Sequence, residues 1–76
     1  MESADSATFR RYLRSLPYEL LESVAEDYVW LAGLTFAVER TAEFRRRREC
    51  CREECLRRGV PQLYRLAEAV VSPWAA

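Results

Sequence analysis

Two glycines and three prolines divide the chain into segments, and each segment has the spacing of apolar residues that predicts an amphipathic helix. Pro17 separates the first two segments, because proline lacks an amide hydrogen and keeps the preceding residue out of the helical region. Gly33 interrupts the long middle stretch, and Gly59 can adopt the positive φ that often ends a helix. Pro61 occupies a favoured first helical position, and Pro73 closes the last segment. The chain is therefore predicted to be all-α.

The predicted fold is a small bundle of about four helices with a long central helical hairpin. We predict these helices over residues 7–15, 17–32, 34–58 and 61–71. Asp5 or Ser6 can cap the first helix and Ser15 the second, because their side-chain oxygens accept hydrogen bonds from exposed amides. Apolar residues three and four positions apart predict the core face of the last helix. These residues are Leu63, Leu66, Ala67 and Val70, with Tyr64 as a further candidate.

A length of 76 residues is enough for one domain, so residues 1–76 are expected to form a single helical domain with flexible ends at 1–5 and 73–76. A domain this small buries roughly 60% of the surface that its unfolded chain exposes. A third helix of about 24 residues would be ~36 Å long, which is more than so small a domain easily covers. A second copy would cover the excess, so we predict a homodimer.

Charge is unevenly distributed, although twelve basic and twelve acidic residues give a net charge of zero. Residues 17–39 carry five carboxylates and no arginine, whereas residues 40–58 carry eight arginines and four glutamates. Three carboxylates, Glu19, Glu22 and Glu26, share one helix face, where like charges repel unless a positive surface is near. The arginine-rich helix, in a hairpin with the acidic one or in a second subunit, is the expected source of that surface. Every basic residue is arginine, which indicates a GC-rich genome and a bacterial or phage origin.

The arginines of segment 45–58 form the main candidate interaction surface. They are Arg45, Arg46, Arg47, Arg48, Arg52, Arg57 and Arg58. Four consecutive helical residues point to all sides of a helix, so the run at 45–48 cannot all contact one phosphate backbone. Glu43, Glu49 and Glu53 stand three or four positions from arginines and favour pairing within the helix. The alternatives are an acidic protein partner and nucleic acid, whose phosphates arginine neutralises.

Two tryptophans extend this candidate surface. Trp30 lies beside the main apolar line of the second helix, and Trp74 lies near the carboxyl end. Tryptophan is enriched among the residues that dominate binding energy at interfaces, which favours a role as an anchor for a partner. A broad core would explain the position of Trp30 equally well.

The three cysteines are more simply explained by packing than by chemistry. Cys51 and Cys55 share a helix face, but a closed zinc site takes four ligands and the chain has no histidine. Cysteine is small and commonly buried, which suits a place where helices approach closely. No metal or cofactor is therefore expected. Cys50 is the thiol expected to be exposed, and the arginines near it favour a reactive thiolate, so it is the candidate redox thiol.

Catalysis has little support in the sequence. Histidine, the usual base near neutral pH, is absent, and no glycine-rich phosphate loop is present. The chain is therefore predicted not to be an enzyme. Its first residues are polar and acidic, unlike a signal peptide. The longest mainly apolar stretch, Tyr28 to Val38, is too short to span a bilayer, so we expect a cytoplasmic protein that does not bind membranes.

The predicted function is that of a small helical protein-interaction module. Such an adaptor, inhibitor or regulator would act through its charged helix faces and flanking aromatic residues. The uneven charge and the lack of a catalytic constellation favour this interpretation. The alternative is a nucleic-acid-associated regulator that uses the arginine-rich segment 45–58.

Overall fold

Four helices make up the described part of the chain. The structure is a computed structural model that describes residues 4–33 and 40–71. The helices are α1 (Ala4–Arg14), α2 (Tyr18–Ala32), α3 (Thr41–Arg57) and α4 (Pro61–Val71). The described residues contain no strand, and the predicted all-α bundle of four helices is confirmed. α3 packs against each of the other three helices, and α2 also packs against α4.

The breaks between helices follow the glycines and prolines. α2 begins directly after Pro17 and ends directly before Gly33, so the predicted interruption at that glycine is confirmed. Gly59 has a φ of 74°, and the Val60 amide donates to the Cys55 carbonyl at 2.9 Å. This hydrogen bond is the one that defines a Schellman motif at the end of a helix. The chain therefore leaves α3 at a glycine and enters α4 within three residues.

The predicted helix caps are wrong. α1 begins at Ala4 and includes Asp5 and Ser6, so neither of these residues precedes its first turn. Ser15 makes no capping bond to α2, and its hydroxyl donates to the Tyr12 carbonyl at 2.6 Å. That carbonyl belongs to the last turn of α1. The sequence shows that a polar residue lies at the boundary between two helices. Its rotamer determines which of the two helix ends its side chain forms a hydrogen bond with.

α3 is shorter than predicted. It begins at Thr41 and has 17 residues, which corresponds to ~25 Å of helix. The longest dimension of the structure is 30 Å, so α3 fits within it. The mismatch in length that predicts a homodimer is therefore absent, and the homodimer stays a prediction. Residues 34–39, predicted to begin this helix, lie outside the described residues, as do 1–3 and 72–76, which include Trp74 and most of the predicted flexible ends.

The core lies where α3 meets the other helices. The largest fully buried side chains are Leu13, Leu21, Cys51 and Cys55. Phe9, Tyr64 and the small residues Ala25 and Ala67 complete the cluster around them. Small side chains let helix axes approach closely, so these alanines and cysteines allow short helices to pack as one layer around α3.

Candidate protein-interaction groove

A groove of about 490 Å³ lies between α2 and α4. Its α4 wall is apolar, and its α2 wall is mainly acidic. The residues that line it are Tyr18, Glu19, Glu22 and Glu26 from α2 and Leu63, Leu66 and Val70 from α4. We call it the α2–α4 groove. Tyr18 and Leu66 are each 52% exposed and Val70 is 44% exposed, so apolar surface lies open beside a row of carboxylates.

The sequence of α4 explains its exposed apolar edge. Tyr64, Ala67 and Val71 are buried and lie three and four residues apart on one side of the helix. The groove-lining leucines and valine of α4 form a second stripe one position earlier, on the adjoining side. The two stripes together are wider than the arc that α2 and α3 cover. Leu66 and Val70 are therefore exposed, and the prediction that they belong to the core is wrong.

The acidic wall is the helix face predicted from the spacing of Glu19, Glu22 and Glu26. The expectation that the arginine-rich helix of the same chain neutralises it is wrong, whereas its neutralisation by a second subunit stays a prediction. Each ion pair between described residues uses a glutamate of α3 and none uses a carboxylate of α2. The reason is orientation, because α2 turns this face toward the apolar edge of α4 and not toward the arginines.

Two carboxyls of the acidic wall interact directly. A hydrogen bond with Glu26 raises the pKa of Glu22 to about 7, and partial burial and the charge of Glu26 act in the same direction. Two carboxyls this close together disfavour the state in which both are charged. The α2–α4 groove therefore has a negative wall that no ion pair among residues 4–33 and 40–71 compensates.

Arg47 holds three helices together. Its Nη2 lies 2.9 Å from Glu43 Oε1, and its Nη1 donates to the Tyr28 hydroxyl at 3.0 Å. Its guanidinium also lies over the rings of Phe9 and Tyr28, at 5.3 and 5.7 Å from their centroids. These contacts join α3 to α1 and α2, so Arg47 has a structural role where the three helices meet.

Three further candidate arginines pair with glutamates of α3 that lie three or four residues earlier in the chain. The Nε of Arg52 donates to Glu49 Oε1 at 2.9 Å. The Nε atoms of Arg57 and Arg58 donate to Glu54, at 2.9 and 2.7 Å respectively. The predicted pairing of Glu49 within the arginine-rich segment is confirmed. Glu54 is not among the glutamates predicted to pair, and Glu53 pairs with Arg10 of α1 in place of an arginine of its own helix.

Arg45, Arg46 and Arg48 are the remaining arginines of the candidate surface. Arg45 and Arg46 are exposed, and neither forms an ion pair within residues 4–33 and 40–71. Consecutive helical positions differ by ~100° in direction, so these two point to different sides of α3. Arg48 borders a second groove, of about 510 Å³, between α3 and α4. The structure therefore does not bring the candidate arginines together into one patch.

Trp30 is a surface residue of α2. It is 45% exposed, which favours the interface interpretation over the core one. It does not line the α2–α4 groove, so it adds no contact there.

The thiol predicted to be exposed is buried. Cys50 is only 4% exposed. Three helices pack against α3, so the buried side of α3 includes Cys50 as well as Cys51 and Cys55. Burial is the main cause that raises the pKa of Cys51 to about 12, and it also raises that of Cys55. The prediction of an exposed redox thiol at Cys50 is therefore wrong. Where the structure describes the chain, it contains no cluster of three side chains able to hold a metal ion.

Comparison of the chain with protein-family models, with curated proteins and with solved structures gives no match. None of the helices in the described ranges has both the length and the apolar character needed to cross a bilayer. The fold and the groove together define a small all-α bundle with one open apolar edge beside an acidic face.

Proposed function

We propose that this chain is a small protein-interaction module, an adaptor, inhibitor or regulator, that binds its partner in the α2–α4 groove. The observation that supports this most directly is the open apolar edge formed by Tyr18, Leu66 and Val70. Contiguous exposed apolar surface rimmed by polar residues is typical of interaction sites. A groove between two helices is also the usual receptor for an amphipathic helix. Lack of catalytic activity, lack of a cofactor and a cytoplasmic location stay predictions.

Leu66→Ser is expected to weaken the partner complex about 4- to 12-fold. Full burial of an exposed leucine side chain contributes about 1.5–3 kcal/mol, and because Leu66 is 52% exposed before binding, the complex gains about half of this. Each ~1.4 kcal/mol is a factor of ten in affinity. A partner captured from the organism that encodes the chain is purified, and its dissociation constant is measured by titration calorimetry against wild type and variant. Leu56→Ser is the matched control, because Leu56 is 48% exposed on α3 and lines the other groove. Equal affinities for the two variants would contradict the proposal.

The alternative, a nucleic-acid-associated regulator, is supported only by the exposed pair Arg45 and Arg46. Two or three phosphate contacts give a salt slope of at most about −3, which is small for a protein that binds nucleic acid by charge. We therefore expect no retarded band with mixed DNA and RNA at low salt. A band that weakens with added salt and disappears in the variant Arg45→Gln with Arg46→Gln would favour the alternative over the groove.

A further inference from the structure

We infer that the partner segment is a basic amphipathic helix, whose apolar stripe lies on the α4 edge of the α2–α4 groove and whose cations face the acidic wall. This inference rests on the proposed function and specifies the chemistry of the partner. It follows from the two walls of the groove, which differ in character along their whole length. The apolar α4 wall favours a partner with an apolar stripe, and the acidic α2 wall favours positive charges beside that stripe.

The acidic wall fixes the charge of the partner. Glu19 and Glu26 are seven residues apart on α2, so the wall extends over ~10 Å, or two helical turns. Cations on one face of a partner helix repeat at the same intervals of three and four residues. No arginine of the described residues pairs with these carboxylates. A basic segment would supply the opposite charge that the chain itself does not.

The raised pKa of Glu22 also supports a basic partner segment. Its carboxyl shares a hydrogen bond with Glu26 that holds a proton near neutral pH. An arginine or lysine placed between the two carboxylates would replace that proton as the balancing charge. The α4 wall contributes only Leu63, Leu66 and Val70 to the groove, so it brings no charge that competes for this place.

The apolar wall excludes two other occupants. A nucleic acid has no apolar stripe to place on Leu66 and Val70, and its phosphates would be repelled by the acidic wall. A second copy is disfavoured because α3, which carries Arg45 and Arg46, has a single large exposed apolar side chain, Leu56, far along the helix from them. α3 therefore lacks the apolar stripe that the groove requires.

The test uses a short synthetic helical peptide with leucines at intervals of three and four residues and arginines on the flanking positions. A twin peptide has glutamine in place of every arginine. At low salt, the arginine peptide is expected to bind the full chain at least ~10-fold more tightly than its twin, with amide chemical shifts changing in α2 and α4. This preference is expected to disappear in the double variant Glu22→Gln with Glu26→Gln. It is expected to persist in Glu68→Gln, since Glu68 lines the other groove.

The outcomes separate this inference from the proposed function. Equal affinity of the two peptides, still lowered by Leu66→Ser, would overturn the basic partner and leave the groove as a docking site. Binding of the arginine peptide that Leu66→Ser does not weaken would place the binding site elsewhere and overturn both. If neither peptide binds, the inference of a basic amphipathic partner is overturned. The proposed function is then still decided by the affinity of the captured partner for the Leu66→Ser and Leu56→Ser variants of this chain. Concentration-dependent sedimentation of wild type that Leu66→Ser abolishes would assign the groove to a second copy.

Discussion

Replacement of Glu54 by alanine is expected to lower the free energy of unfolding by about 3–5 kcal/mol, because it breaks a buried ion pair. Glu54 is 6% exposed and accepts hydrogen bonds from Arg57 and Arg58. Arg58, itself only 11% exposed in its side chain, also donates to the Leu13 carbonyl at 2.8 Å. Without the carboxylate, a buried guanidinium loses its balancing charge and the contact between the ends of α3 and α1 is weakened.

The lowered pKa of Glu54 corresponds to a free energy of the same size. Hydrogen bonds from Arg57 and then Arg58 lower the pKa of Glu54 from 4.5 to about 2, against the opposing effect of burial. Such a shift corresponds to about 3 kcal/mol. Because the folded pKa is the lower one, this stabilisation is present above pH 4.5 and is lost as the pH falls toward about 2.

Urea denaturation followed by circular dichroism measures the effect. Glu49→Ala is the matched control, because Glu49 also pairs with an arginine three residues later on α3 but the pair is about half exposed. Exposed pairs contribute at most about 1 kcal/mol. Equal losses for the two variants would contradict the buried pair. Glu54→Gln is expected to remove most of the acid dependence between pH 4.5 and about 2.

The helices and their breaks could be predicted from the sequence because they depend on local chemistry. Proline and glycine act on their own backbone and on the residues next to them. Ion pairs within α3 were predictable for the same reason, since residues three and four apart meet on any helix. Glu53 departs from this rule by pairing with Arg10 of α1 at 2.9 Å. That contact requires knowledge of which helix lies beside α3.

The candidate groove could not be predicted, because it depends on how each helix is rotated against its neighbours. Periodicity shows that Leu66 and Ala67 belong to the apolar side of α4, but not which of them the core covers. In α2, periodicity likewise does not distinguish Leu21, which is fully buried, from Leu20, which is 52% exposed. One available signal was the width of the α4 stripe, which exceeds the arc that a helix of its length buries in a small bundle. Its excess width predicts an exposed apolar edge.

The second large effect is expected at the cysteines, which should resist alkylation in the folded chain. The pKa of Cys51 is about 12, raised from 9.0 mainly by burial. Since only the thiolate reacts, at pH 8 its reactive fraction is about a thousandfold below that of the unfolded chain. Iodoacetamide labelling followed by peptide mass spectrometry, with and without denaturant, measures the protection, which is expected to be at least this large because the buried side chain must also become accessible to the reagent. Rapid labelling of Cys50 in the folded chain would instead support the exposed redox thiol.

The same thiols link folding to alkaline pH. Burial raises the folded pKa of Cys51, Cys55 and Tyr64 above their unfolded values. The corresponding stabilisation is fully present below pH 9.0 and is lost as the pH rises toward about 12. Labelling and stability are therefore coupled, because the thiols react through the open chain. Glu54→Ala raises the population of that open chain. It is therefore expected to accelerate labelling by the same factor as it raises the equilibrium constant for unfolding. Glu49→Ala is expected to change the labelling rate little.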